Sequence, residues 1–334
     1  MDARISTILF AVFALTTLST ATVRLVDNST NAASNAYTTV QAANDAALDG
    51  DTIYVIGNGA SYGNLVTTKV LYWFGPGYFL PNNPETQANP GAARTGNVTF
   101  STGSAGSSFT GFQVEGLVDF NAGNILFRRN YATHTSSQTH IDIAAPNVVI
   151  DQCYFRHAYT TTYYTFISMT AAASNTTFRN SILYSSNNEI ISNSSAGALT
   201  FNHCVFRIYS LNVYNATITN CILQSGTYTA NNNAVYNSMC NSTQFPALNG
   251  NLQDVNMSTV FQVNNLYDAY YLLAPNSPAI GTGQNGVDMG AFGGLYPYVL
   301  SGIPNLPTIT YIEAPISGST VNGLPITIRV RGRN

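Results

Sequence analysis

The stretch NILFRRNYA at residues 124–132 recurs in related form along the middle of this 334-residue chain. Each copy has an apolar residue at its fourth place and another at its ninth, and the copies recur at intervals of 17 to 28 residues. A constant strand motif with connections of variable length is typical of a solenoid. The clearest copies are NILFRRNYA (124–132), NVVIDQCYF (147–155), NTTFRNSIL (175–183), ALTFNHCVF (198–206) and NATITNCIL (215–223).

The repeats predict an all-β chain. Each repeat is rich in β-branched or aromatic residues, is bounded by Asn, Ser and Gly, and shows no helical periodicity. Stacking the repeats at the interstrand spacing of about 4.8 Å buries the fourth residue of each in one core. The predicted core stack is Phe127, Ile150, Phe178, Phe201 and Ile218. Turn asparagines would bond up and down the stack as an amide ladder, predicted at Asn124, Asn147, Asn175 and Asn215.

The two ends of the repeat region predict how the solenoid is closed. Residues 38–48 carry apolar residues at helical spacing after a Thr cap and stop at Gly50, which predicts a helix covering the first coil. At the other end, a Pro-rich stretch leads into residues 324–333, where alternating apolar and polar residues predict a half-buried strand. We therefore expect a solenoid at 22–296, followed by a Pro-rich linker and a C-terminal strand serving as a cap or tail at 297–334.

The composition excludes one class of function. Charged residues make up 8% of the chain, the net charge is −3, and Lys69 is the single lysine. A nucleic-acid binder that neutralises phosphates needs clustered Lys and Arg, so that class is excluded. Asn, at about one residue in nine, fills much of the space that charges usually occupy.

The first 21 residues predict a secretory signal peptide. Arg4 supplies positive charge, residues 5–18 are uncharged, and Ser19-Thr20-Ala21 offers a small-residue cleavage site. The uncharged run is shorter than the roughly 20 residues of a membrane span. We therefore expect a secreted or cell-surface protein with no membrane span after cleavage.

Three further sequence runs carry a family resemblance. The runs TTVQAANDAALDGDTIYV (38–55) and KVLYWFGPGYFL (69–80), the repeats, and the closing SPAIGTG with DMGAF (277–292) resemble secreted bacterial proteins of the pectate-lyase-like superfamily. The resemblance implies a right-handed, single-stranded parallel β-helix with an N-terminal capping helix and a C-terminal β extension. It does not imply one activity, because that superfamily includes lyases, hydrolases and adhesins.

Residues 128–157 hold the densest polar cluster, and two interpretations of it stay open. In a polysaccharide lyase, a base removes the proton next to a uronate carboxylate while Arg or Ca²⁺ neutralises that carboxylate. The candidate catalytic residues are Arg128, His140, Asp142, Asp151 and His157. The simpler interpretation is structural: Arg128, Asp151 and Arg179 share one outward column and would form an exposed charge ladder, and the histidines would face solvent.

The favoured function is non-catalytic adhesion or polysaccharide binding by the solenoid wall and its loops, with a glycan-degrading lyase as the alternative. Exposed tyrosines stack on sugar rings, and a second outward column holds arginines. The candidate binding residues are Arg156, Tyr159, Tyr163, Tyr164, Tyr184 and Arg207. No cofactor is expected for the binding function, whereas a lyase could use Ca²⁺.

The repeat columns also place the cysteines and the threonines. Cys153, Cys204 and Cys221 share an inward column, which favours free buried thiols over a Cys204–Cys221 disulfide. Binding of ice or crystal surfaces by a flat threonine face is disfavoured, because no column of the alignment is expected to keep Thr from coil to coil.

Overall fold

The computed structural model describes residues 21–134, 139–157, 165–185, 190–193, 197–262, 267–319, 321 and 323–332, with the backbone alone at 190 and 193. The predicted signal peptide (residues 1–20 of it) and the loop residues Tyr159, Tyr163 and Tyr164 lie outside the described residues.

Parallel strands form three walls, which we name A, B and C, and between residues 94 and 193 the chain passes through B, C and A in turn. Wall A contains Val23–Val26, Thr52–Val55, Tyr72–Phe74, Ser108–Thr110, Leu126–Arg128, Val149–Asp151, Thr176–Arg179, Leu199–Asn202, Ala216–Thr219 and Ala234–Tyr236. Wall B contains Arg94–Thr95, Gln113–Val114, Tyr131–His134, Tyr154–His157, Ile182–Ser185 and Met239–Cys240. Wall C contains Leu65–Thr67, Val98–Phe100, Val118–Phe120, Ile141–Ile143, Thr165–Met169 and Ile190–Asn193.

Two long strands, Val205–Asn212 and Ile222–Tyr228, run through both B and C and join these walls into one sheet. The parallel sheets are therefore nearly closed into a solenoid-like barrel, an architecture compatible with a parallel β-helix.

The core runs along the axis between the walls. Wall A pairs Phe127 with Ile150, Ile150 with Phe178, and Phe178 with Phe201, which in turn pairs with Ile218. All five side chains are fully buried. The same column continues to Phe109 and Trp73 on one side and to Val235 on the other. The alternation of buried and outward residues that the repeats imply thus holds over most of wall A.

Asparagines line the turn that leads into wall A. Asn147 Nδ2 donates to Asn124 Oδ1 at 3.0 Å, and Asn175 Nδ2 donates to Asn147 Oδ1 at 3.2 Å. The ladder is interrupted at Ala198, which occupies the position between Asn175 and Asn215, and resumes where Asn232 donates to Asn215 at 2.7 Å. The ladder asparagines adopt left-handed backbone angles, with φ between 51° and 58°. Asn tolerates that region better than most residues, so one residue type serves both the turn and the ladder.

A second left-handed turn, which the repeat pattern does not predict, lies between walls A and B. Its residues are chemically mixed and have φ between 44° and 56°. They are Arg129, Gln152, Asn180, His203, Asn220 and Asn237. Several of them bond a C-terminal segment, residues 284–305, which runs lengthwise over the outside of the coils.

This C-terminal segment, which we call the strap, is tied down far from its place in sequence. Asn180 donates to the carbonyls of Ala291 and Gly293 at 3.0 and 2.8 Å. Arg129 donates to the carbonyl of Ile303 at 2.8 Å. Tyr298 and Ile303 are buried. The predicted linker from residue 297 is therefore in part a packed element.

The chain also contains short helices and a terminal hairpin. An α-helix spans Val40–Ala46, within the predicted range 38–48, and the Thr39 side chain accepts from the Ala42 N–H. The hairpin pairs Thr308–Glu313 with Thr327–Arg331 in antiparallel orientation. Turns of 3₁₀-helix span Met257–Thr259, Tyr267–Tyr271, Gln284–Gly286 and Leu300–Gly302.

The expected half-burial of the C-terminal strand is wrong. Ile326, Ile328 and Val330 are 54, 53 and 64% exposed, because among the described residues the strand pairs only with its own hairpin partner and no wall covers its apolar face.

The expectation that no column keeps threonine is also wrong, since Thr177, Thr200 and Thr217 are adjacent in register on three coils of wall A.

Candidate functional site

A cleft on the outside of wall B gathers tyrosines and arginines, and we call it the tyrosine–arginine cleft. Its volume is about 310 Å³, at the lower end of the roughly 300–1,000 Å³ typical of ligand sites. Among the described residues, no carboxylate lines it. Its lining side chains are Phe79, Tyr131, Tyr154, Arg156, Tyr184, Arg207, Tyr267, Tyr270 and Tyr271.

Strand register brings the two arginines of the cleft together. Arg156, Tyr184 and Arg207 lie opposite one another on consecutive coils of wall B. The Arg207 guanidinium carbon lies 5.0 Å from the ring centroid of Tyr184, and that of Arg156 lies 5.7 Å from the same centroid. Both guanidinium groups are therefore held near the same aromatic ring by cation–π attraction.

The floor of the cleft is aromatic and largely buried. The rings of Phe79 and Tyr131 are 4.5 Å apart between centroids, and those of Tyr131 and Tyr154 are 5.4 Å apart. Tyr154 and Tyr271 are buried, and burial raises the pKa of both phenols. Neutral phenol hydroxyls at the edge of an aromatic floor can donate to and accept from ligand oxygens.

Phenol groups lie beside both arginines, Tyr131 beside Arg156 and Tyr271 beside Arg207. The pKa of Arg156 is raised: burial works against the charged form, while Tyr131 and the other neighbouring tyrosines favour it. The cleft therefore presents two fixed positive charges beside an aromatic surface.

Three of the six predicted binding residues line this cleft, namely Arg156, Tyr184 and Arg207. The other aromatic residues were missed. Tyr131 and Tyr154 occupy the same place in two successive repeats, so the repeat alignment contained a signal for them. Tyr267, Tyr270 and Tyr271 come from a 3₁₀-helix about 60 residues beyond Arg207 in sequence, and no local pattern connects them to wall B.

The candidate catalytic residues form two separate pairs, Arg128 with Asp151 and His140 with His157, and are not gathered into one site. Arg128 and Asp151 lie on wall A, Asp142 lies on wall C, and His157 ends a strand of wall B. Asp142 and Asp151 therefore form no pair. Asp142 lies opposite Asp119 of the preceding coil instead. Burial, and to a lesser degree the charge of Asp142, raises the pKa of Asp119.

The predicted charge ladder exists, but its centre is not exposed. Asp151 Oδ2 accepts from Arg128 Nε at 2.6 Å, and Asp151 Oδ1 accepts from Arg179 Nε at 2.9 Å. The Asp151 side chain is only 1% exposed, while each arginine is 33% exposed. Arg128 and Asp151 are therefore both engaged in an ion pair that links neighbouring strands of wall A.

The expectation that the histidines of this region face solvent is wrong for two of them. His140 and His157 are fully buried, and their ring centroids lie 5.8 Å apart. Both nitrogens of His140 lack a hydrogen-bond partner. Burial, together with the neighbouring histidines, lowers the pKa of His140 well below its usual value. A ring held neutral among aromatic neighbours packs as an apolar group, which explains its place inside the coil.

Across the described part of the chain, no group of three or more His, Cys, Asp or Glu side chains has an arrangement that could hold a metal ion. Comparison with known proteins returned no matching family model, no matching curated protein and no matching solved structure. Within the same described residues, no helix is both long and apolar enough to span a bilayer.

Proposed function

We propose that this chain is an exported, right-handed parallel β-helix that binds a polysaccharide in the tyrosine–arginine cleft without cleaving it. Connections between parallel strands of one sheet are nearly always right-handed, which supports the handedness. The helix Val40–Ala46 packs beside the first coils, which supports a capping role for it. The signal-like N-terminal sequence supports export.

The observation that carries the binding proposal is the alignment of Arg156, Tyr184 and Arg207 over an aromatic floor. Aromatic faces stack on the apolar faces of sugar rings. Guanidinium groups bind carboxylates through paired N–H donors, so sugars that carry a carboxylate are favoured. An open cleft on a long wall suits an extended chain, whose neighbouring sugars would continue along the coils.

The alternative function is a glycan-degrading lyase. Two observations weigh against it: Arg128 is engaged with Asp151, and His140 is fully buried. A lyase base must reach a proton of the substrate, and neither group is placed to do so in the cleft.

The test is a binding titration of the full chain with polygalacturonate, alginate and a neutral glucan, followed by calorimetry. We expect binding of at least one polymer, with a loss of about tenfold or more in Arg207→Gln and Tyr184→Ala. Tyr72→Ala is the matched control, because Tyr72 is an exposed tyrosine (40%) on wall A, away from the cleft. Equal losses in the control and cleft variants, or no binding, would refute the proposal.

The same samples test the lyase. Release of unsaturated product that absorbs in the ultraviolet, abolished by Arg128→Ala or His140→Ala, would replace the binding proposal with an enzymatic one.

A further inference from the structure

A second cavity lies between the strap and the turn that joins walls A and B. We call it the corner cavity. Its volume is about 340 Å³, enough for one or two sugar rings. One wall comes from the coil residues Arg179, Asn180, Asn202, His203 and Asn220, and the other from strap residues between 284 and 296.

The strap that closes the cavity is held at defined points. Asn220 Oδ1 accepts from the Gln284 N–H at 2.7 Å, and Gln152 Nε2 donates to the Tyr296 carbonyl at 3.1 Å. Gly294 has φ of +74°, and a Cβ there would lie 2.7 Å from His203 Nε2. The strap therefore follows the coils closely only because glycine is present, and the cavity is a built feature of this packing.

Two buried polar atoms that line the cavity have no partner. Asn202 Oδ1 and His203 Nε2 are both inaccessible to solvent and make no hydrogen bond to any residue that the structure describes. His203 as a whole is only 7% exposed. A buried acceptor without a donor is energetically unfavourable, so groups of this kind usually face a water molecule or a ligand.

The free groups select the chemistry of a ligand. The amide oxygen of Asn202 can only accept, so it requires a ligand that donates. Burial lowers the pKa of His203 to about 4, so its imidazole is neutral near pH 7. Among the described residues that line the cavity, Arg179 is the sole charged side chain, and Asp151 already pairs with it. These features favour a neutral hydroxyl-bearing molecule over an anion.

An aromatic face completes the cavity. The Tyr296 ring is held by Arg179, whose guanidinium carbon lies 5.8 Å from the ring centroid, and Tyr296 is 60% exposed. A sugar ring could stack on such a face while its hydroxyls reach inward.

We propose that the corner cavity is a separate binding site for a neutral saccharide unit, with two neighbouring hydroxyls bonded to Asn202 Oδ1 and His203 Nε2. The site does not depend on the tyrosine–arginine cleft, since the two cavities share no lining residue.

The experiment is saturation-transfer NMR and calorimetry on the full chain with the neutral disaccharides cellobiose, lactose and mannobiose. Digalacturonic acid serves as the anionic comparison. We expect at least one neutral disaccharide to bind, and to shift the side-chain ¹⁵N resonance of His203. Asn202→Leu should weaken that binding roughly tenfold, because it replaces the acceptor with an apolar group of similar size, whereas Asn202→Asp should retain it.

Two control variants separate this proposal from the previous one. Thr219→Val alters the neighbouring position in the same column as Asn202 without touching the cavity lining, and should leave binding unchanged. Arg207→Gln should abolish polymer binding in the cleft and leave disaccharide binding intact. The proposal is overturned if none of the disaccharides binds, if Asn202→Leu binds as well as the parent chain, or if a crystal soaked in the disaccharide shows only water at Asn202 and His203.

Discussion

Arg179 reaches across one coil to bond Asp151 through both Nε and Nη2, at 2.9 and 3.1 Å, while Asp151 itself is almost completely buried. A surface ion pair contributes about 0–1 kcal/mol to the free energy of unfolding. When a buried carboxylate loses its charge, the guanidinium groups beside it lose their partner, which is more costly. We expect Asp151→Asn to lower the free energy of unfolding by about 2 kcal/mol, measured by urea denaturation.

The matched control for Asp151 is Glu115→Gln, which removes the more exposed ion pair between Glu115 and Arg94. The Glu115 side chain is 29% exposed and that of Arg94 is 38% exposed. That change should cost less than about 1 kcal/mol. If the two variants lose the same stability, burial of Asp151 has no energetic consequence.

The Asn147 turn offers a way to separate backbone conformation from the amide ladder. Asn147 has φ of 58° and its side chain bonds both Asn124 and Asn175. Asn147→Ala loses the ladder bonds and strains the backbone, so it should cost about 1–2 kcal/mol of unfolding free energy. Asn147→Gly loses the same bonds without that strain, so its cost should be smaller. A larger cost for Gly than for Ala would show that the left-handed backbone is not what selects Asn here.

Stability should fall as the pH decreases through the range in which unfolded histidines titrate. The pKa of His140 is lowered well below its usual value, and that of His134 is also lowered, in both cases chiefly by burial. The unfolded chain therefore binds protons more readily than the folded chain below about pH 6.5. The stability contributed by the neutral rings is fully present above that pH and is lost as the pH falls toward the folded pKa.

Urea midpoints measured from pH 8 to pH 5 check this dependence. We expect His140→Phe, which fits among Phe155 and Phe166, to flatten the decline. An unchanged slope in the variant would mean that His140 does not control the acid sensitivity.

All four cysteines should be free and unreactive in the folded protein. Cys153, Cys204, Cys221 and Cys240 are buried and unpaired, and burial raises the pKa of Cys153 and Cys221. Cys221 Sγ instead accepts from the Cys204 N–H at 3.3 Å. A thiol reagent should label none quickly in native buffer and four per chain in denaturant without reductant. Two labelled thiols in denaturant would instead indicate a Cys204–Cys221 disulfide.

How much of the site the sequence could predict depended on the repeat. Arg156, Tyr184 and Arg207 were placed in one column because each sits at the same distance from an apolar residue that must face the core. The alignment failed one coil later. Leu223 pairs with Phe206, so an unbroken register would place the next residue, Gln224, opposite Arg207, but a bulge places Ser225 there. A bulge depends on local strain between coils and leaves no mark in the pattern of apolar residues.

By itself, the sequence determined the parallel solenoid architecture, the column from Phe127 to Ile218 and the asparagine turn, because a stacked coil imposes the same burial and the same backbone angles at every repeat. Only the tertiary structure decided what lies against the outside of the coils. The strap reaches Asn180 from 111 residues away, and Tyr271 reaches the cleft from another part of the chain. Contacts of that range follow from shape and packing, which no local periodicity encodes.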